Sequence, residues 1–205
     1  MTENDAVTAA VVVIGNEVLS GRTQDVNVQF LALGLGELGI SLDEVRIIAD
    51  VEDEIVSAVN LLRDKYDYVF TTGGIGPTHD DITTASVSKA FGRAMIRNPE
   101  AEAILLSNYK PEDVTEARMK MADTPDGDDV VLIQNPVSKA PGYQVENVFV
   151  MAGVPRIMQA MFDDLKPRLK GGAPVSSRSL DAFIPEGLVA GPLRDVQNQF
   201  PDIEI

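Results

Sequence analysis

Short runs without a polar position alternate along this chain with longer stretches in which apolar residues recur every three or four places. Residues 9–14 read AAVVVI, a β-branched run stopped by Gly15, the composition of a strand covered on both faces. Beyond the turn at 15–17, Val26, Phe30, Leu33 and Leu31, Leu35, Leu38 fall at helical spacing, with Thr23 or Asp25 available as the cap and Gly39 as the stop. The pattern predicts a second strand over 43–48 and a helix with Ile55, Val59 and Leu62 on one face, opposite Glu54, Ser57 and Arg63. A third strand follows over 68–71. Residues 92–125 are more polar and read as a helical excursion outside the sheet, with helices over 99–107 and 112–122. Strand patterns return at 130–133 and 148–151. A helix from Pro155 then turns Ile157, Met158, Met161, Phe162 and Leu165 inward.

This alternation is that of right-handed crossover units, so the fold class is α/β with a mainly parallel sheet, and such sheets bind ligands beyond the carboxyl ends of their strands. Gly171-Gly172-Ala173-Pro174 reads as a linker. It separates a main domain over 8–170 from residues 175–205, which read as the start of a small second α/β domain. Within that segment the pattern is strand, loop, helix over 193–199, and the beginning of another strand.

Composition narrows the functions. With 205 residues, 44% of them hydrophobic, the chain can bury one substantial core. Seventeen basic residues against 32 acidic give a net charge of −15, which makes nucleic acid and anionic membranes poor partners. The absence of cysteine excludes disulfides, thiolate metal sites and a cysteine nucleophile. Residues 1–6 lack the features of a signal peptide and no apolar run approaches the ~20 residues of a membrane span, so a cytoplasmic location is expected.

The chemistry concentrates in residues 71–83, TTGGIGPTHDDIT, which leave a strand, cross a glycine turn and enter a helix. Glycines let backbone N–H groups approach anionic oxygens closely, and the following helix offers its own unpaired amides. Asp80 and Asp81 would repel a bare phosphate, so a cation such as Mg²⁺ between carboxylate and phosphate makes better sense of them. On composition alone an equal alternative is that Asp81 caps a helix starting at Ile82 and that the glycines only form a tight turn. His79, the sole histidine, reads as an exposed loop residue. The loop lacks the lysine of a P-loop, and there is no serine nucleophile elbow or histidine-rich metal motif.

This loop resembles the signature of the molybdopterin-binding superfamily, and of its CinA-type members in particular. GNEVLSG at 15–21, NPVSKAPGY at 135–143 and AGVP at 152–155 support the match in the expected order, so the resemblance spans roughly 11–169. It implies a three-layer sandwich in which Gly73, Gly74, Gly76, Thr78, Asn135, Pro136 and Gly142 surround a phosphate. Asp81, Asp80 and Glu17 would be catalytic, and Asp81, Asp80 and Asp50 would hold a divalent metal, with K⁺ as a further ion. Read without the family, Glu17 is a solvated turn residue and Asp50 a helix cap. At Ser138-Lys139 many members carry Gly-Thr instead, and Lys139 either neutralises phosphate or is solvated. The implied ligand is a small nucleotide or pterin phosphate, molybdopterin included. The implied activity is metal-dependent hydrolysis of a nucleotide diphosphate such as ADP-ribose, with adenylyl transfer to molybdopterin and a non-catalytic nucleotide-binding module as alternatives. A homo-oligomer, dimer or trimer, and no amidase activity are expected.

Overall fold

The computed structural model describes residues 7–172, 181, 183–201 and 203. Strand β1 (Val7–Ile14) buries Ala9, Val11 and Val13 on one face of the sheet and Ala10, Val12 and Ile14 on the other, which is why its sequence shows no polar alternation. The four-residue helix α1 (Asn16–Leu19) follows, then α2 (Asn27–Gly36), which buries Asn27, Leu31 and Leu35. Of the two apolar stripes predicted for α2, one is buried and the other packs inward only at Phe30, which meets Phe162 edge-on at 6.0 Å between ring centres. Leu33 is 66% exposed and Val26 lies outside the helix.

Strand β2 (Ile40–Ile48) starts three residues before its expected beginning, and α3 (Glu52–Lys65) turns Ile55, Val59 and Leu62 to the core. Next come β3 (Tyr68–Thr72) and α4 (Thr83–Ala90). The excursion is built from β4 (Met95–Arg97), α5 (Pro99–Asn108), α6 (Glu116–Met119) and β5 (Asp123–Pro125), with β4 and β5 paired antiparallel in a ribbon of their own. Asn98 caps α5 by accepting from the amides of Glu100 and Ala101. The helix predicted over 112–122 is instead broken into α6 between short 3₁₀ turns, Pro111–Asp113 and Lys120–Ala122.

The main sheet continues with β6 (Val131–Ile133), β7 (Gly142–Val145) and β8 (Val148–Met151), and α7 (Pro155–Leu165) closes it. Strand β7 lies in a stretch whose sequence reads as loop. The strand order is β2-β1-β3-β8-β7-β6, parallel through the first four and antiparallel for the last two. Helices α3 and α4 pack on one face and α2 and α7 on the other, giving three layers. Phe70 and Phe149 stack at 5.1 Å between ring centres, and Phe162 of α7 meets Phe70 edge-on at 6.3 Å.

Contacts divide the chain into two units, Met1–Val175 and Ser176–Ile205. In the second, α8 (Glu186–Gln199) is twice the length predicted for it and carries Pro192 inside. The strands expected from residue 179 and at 202–205 fall largely outside the described residues. Among the described residues no helix is long and apolar enough to cross a membrane.

The topology decides where a ligand can sit. The connection leaving β1 runs outward to β2, whereas the one leaving β3 runs toward β8, so the two diverge between neighbouring strands. Divergence opens a crevice at the carboxyl ends of β1 and β3, the place where open α/β sheets hold ligands.

Candidate functional site

A cavity of about 470 Å³ occupies this crevice. Glu17 from α1 after β1, residues 73–77 and Asp81 from the loop after β3, and residues 152–155 leading from β8 into α7 form its walls. The excursion adds Tyr109 and Met121, and the 135–141 loop adds Ser138, Ala140 and Pro141.

The glycine loop is fixed from several sides. Gly73 reverses the chain with φ +106°, and its amide donates to the carbonyl of Met151 at 3.1 Å. The Thr83 hydroxyl, buried at the start of α4, donates to Gly73 O at 2.9 Å, and the Thr83 amide donates to Gly74 O at 3.0 Å. The Gly73 amide is therefore committed to the sheet. By contrast the amides of Gly74, Ile75 and Gly76 have no partner among the described residues, and all three residues line the cavity. Unpaired amides at the tip of a strand are what an anionic oxygen needs. The first turn of α4, with Thr84 and Ala85, lines a neighbouring cavity of about 80 Å³ rather than the main one.

The Asp81 carboxylate does not cap α4, which has no side-chain cap. It accepts instead from the Thr78 amide at 2.8 Å and from the Thr78 hydroxyl, and lies so close to Gly76 that a Cβ there would sit 2.7 Å from Oδ2. Glu17 folds against Gly15 in the same manner, 2.7 Å from where a Cβ would be. Both carboxylates thus rest on glycine backbone at the cavity wall, and among the described residues no lysine or arginine lines it.

The remaining predicted residues are placed elsewhere. Asp80 is 65% exposed in its side chain and off the wall. Asp50 accepts from the Asn16 amide at 2.9 Å, pinning the loop that carries Glu17, and is neither on the wall nor a cap of α3. Asn135 shapes its own loop, accepting from the Val137 amide at 2.9 Å and donating to Ala140 O at 3.1 Å. With Pro136 and Lys139 it borders a separate cleft. Gly142 is part of β7, where a Cβ would meet Val150 O at 2.4 Å, so its role is close packing of strands. His79 is 98% exposed. Among the described residues no three acidic or histidine side chains converge as a metal cluster.

Lys120 carries no signal in the sequence pattern. Its ammonium reaches from the excursion to donate to the carbonyls of Asp81 at 2.7 Å and Thr78 at 2.9 Å, clamping the turn that carries the acid. Hydrogen bonds from a charged donor to this turn contribute about 1–2 kcal/mol to holding it closed, so Lys120→Met is expected to speed amide exchange over 76–82 roughly tenfold with little change in melting temperature. Exchange as slow as in the wild type would show that the turn holds itself.

A model of the family described as a probable molybdopterin binding domain matches residues 10–171. The chain belongs to this family. Within it the chain is of the CinA type. It is 34% identical over 194 residues to a CinA-like protein of Desulfosudis oleivorans, covering 88% of this chain and 46% of that one. The solved structure of the protein CinA of Thermoplasma acidophilum superposes with a TM-score of 0.74 at 33% identity, covering 80% of this chain and 98% of that one. A protein of Pyrobaculum calidifontis is 37% identical over 209 residues, 97% of this chain and 79% of its own length. The molybdopterin biosynthesis enzyme MoaB of Thermus thermophilus shares the fold, with a TM-score of 0.54 at 15% identity over 80% of this chain and 91% of that one.

Proposed function

We propose that this CinA-type domain binds a nucleotide or pterin phosphate in the 470 Å³ cavity and hydrolyses the diphosphate bond of a nucleotide such as ADP-ribose, with a divalent cation between phosphate and protein. The observation that carries this reading is the meeting of opposites on one wall. Three unpaired amides, Gly74 to Gly76, call for an anion, while Glu17 and Asp81 would repel one that arrived without a cation.

Two carboxylates suit the group. Mg²⁺ takes one or two carboxylates from the protein and completes its shell with water and phosphate oxygens. When bound, such a cation supplies neutralisation of the phosphate charge and polarisation of its oxygens. The amides of Gly74, Ile75 and Gly76 hold the phosphate, and Asp81 is fixed for its part by Thr78. The apolar remainder of the wall, from Ile75, Tyr109, Met121 and Ile157, accommodates the ligand's ring and excludes water. Water adds to one phosphorus as the bridging P–O bond breaks, Glu17 takes the proton, and AMP and ribose 5-phosphate leave.

Membership of a family of probable molybdopterin binding domains supports a second reading, molybdopterin binding, to which adenylyl transfer would be the matching chemistry. One experiment separates the readings. ADP-ribose, FAD and other nucleotide diphosphates, and molybdopterin with ATP, are offered with Mg²⁺, Mn²⁺ or Co²⁺, with and without K⁺. Release of AMP from the dinucleotides is the expected result; adenylylated pterin would replace hydrolysis by transfer, and tight binding without turnover would leave a binding module.

A further inference from the structure

Among the described residues, Oγ1 of Thr71, Oγ1 of Thr72 and Oδ1 of Asn27 are buried without a hydrogen-bond partner. The two threonines are 0% and 1% exposed and Asn27 4%. A buried polar atom left unpaired is destabilising, and each one in a folded chain calls for an explanation.

Two of the three atoms belong to one place. Thr72 turns to the face of the sheet that Phe70 shares with α2, whereas Thr71 alternates to the face that carries Val69. Thr72 and Asn27 both line a chamber of about 50 Å³ between the segment joining α1 to α2 and the turn from β8 into α7. Asn27, the first residue of α2, donates from Nδ2 to Gly153 O at 2.8 Å, so the oxygen is the end of its amide left over. Asp25, also on the chamber wall, is engaged in starting α2, accepting from the Val28 amide at 2.9 Å.

Glu17 stands on the wall of both this chamber and the 470 Å³ cavity. Its carboxylate differs from that of Asp81 in how it is held. Asp81 receives two hydrogen bonds from Thr78, whereas among the described residues no donor reaches the Glu17 carboxylate, which rests against Gly15 alone.

The three groups complement one another through a single water. Asn27 Oδ1 and the Glu17 carboxylate only accept, while the Thr72 hydroxyl can donate. A water gives two hydrogen bonds and takes one, so one molecule satisfies all three. The chamber has the room, since one water needs roughly 10–15 Å³. A metal ion would draw on the Thr72 lone pairs and leave the hydroxyl proton without an acceptor.

We propose that Asn27 and Thr72 seat one ordered water behind Glu17, and that this water, donating to the carboxylate, fixes its orientation toward the cavity. Asn27 and Thr72 are then positioning residues that act through the water. Their effect on turnover rests on the hydrolytic reading above; the seat itself does not.

Thr72→Val keeps the shape of the side chain and removes only its hydroxyl. In crystals of the wild type, a water is expected within about 2.6–3.2 Å of Asn27 Oδ1, Thr72 Oγ1 and a Glu17 oxygen. In crystals of Thr72→Val, the Glu17 carboxylate should lose its single orientation. A chamber without density, an anomalous peak there after soaking in Rb⁺, or a Glu17 unmoved in the variant overturns the proposal. The sign of a stability change is a second reading. Replacing an unpaired hydroxyl by a methyl raises the melting temperature, the result expected for Thr71→Val. A hydroxyl bonded to a seated water is missed, so Thr72→Val should instead lower it by roughly 2–4 °C. A shift no lower than that of Thr71→Val sinks the seat. With ADP-ribose and Mg²⁺, Thr72→Val is expected to lower kcat roughly tenfold with little change in KM, and to add nothing in a Glu17→Gln background. An equal loss in that background would mean that Thr72 does not act through Glu17. If the wild type hydrolyses no dinucleotide, the hydrolytic reading fails while the crystals and melting curves still decide the seat.

Discussion

Gly73→Ala is expected to destabilise the protein by roughly 2–6 kcal/mol. Two costs add: a side chain held at φ +106°, a backbone region L-residues rarely enter, at about 1–3 kcal/mol, and overpacking, at about 1–3 kcal/mol. The second cost is severe here because the new methyl would sit 2.1 Å from the carbonyl oxygen of Ile14, a backbone atom at the end of a central strand. It cannot swing aside as a flexible side chain would. Against a typical stability of about 5–15 kcal/mol, the loss leaves a marginal fold. Urea denaturation measures it, with Gly21→Ala as the control: Gly21 has φ +72° and no atom within 4 Å of an added Cβ, so it reports backbone strain alone. If both variants lose equal stability, the close approach of β1 and β3 does not govern the loop.

Strand β1 is legible in the sequence because burial on both faces leaves its last six positions without a polar residue, β3 because a short buried run stops at a glycine pair, and α3 and α7 because one face of each is apolar at helical spacing. The glycine loop is legible as the turn from β3 to α4; its composition fits a plain tight turn as well as an anion cradle, and the resemblance to the family signature singles it out. Where the pattern misleads, the deciding contact is remote. Strand β7 has four residues in a Pro- and Gly-punctuated stretch and exists because β6 and β8 pair with it on either side. For α2 the sequence offers two apolar stripes, and only packing against β2 and α7 selects Leu31 and Leu35.

The same holds for the site. Glu17, Gly74, Gly76 and Asp81 meet in one cavity as the motif suggests, but Asp50 and Asn135 turn out to brace loops. Their residue types fit either role, and only partner and distance tell them apart. Tyr109, Met121 and Lys120 carry no local signal. They belong to an excursion whose polar sequence gives no sign that it folds back onto the mouth of the sheet.

Asp81→Asn should separate the structural duty of Asp81 from its electrostatic one. The amide is isosteric, and its oxygen can still accept from the Thr78 amide and hydroxyl, so the turn and the melting temperature should persist. Asp81→Ala removes those bonds as well and should loosen residues 76–82. With Mg²⁺ present, Asp81→Asn is expected to weaken binding and turnover of ADP-ribose on the order of 100-fold, the scale of losing a ligand-orienting group at a metal site. Without a cation the sign reverses. In a cavity lined, among the described residues, by two carboxylates and no basic side chain, the wild type repels a bare diphosphate, and removing one negative charge relieves that repulsion. In EDTA, therefore, Asp81→Asn should bind ADP-ribose at least as well as the wild type. Calorimetric titrations of both proteins, with Mg²⁺ and with EDTA, give the four affinities needed. A variant weakened equally in both conditions would mean that Asp81 acts by shaping the loop, and a variant unchanged in both would remove it from the site.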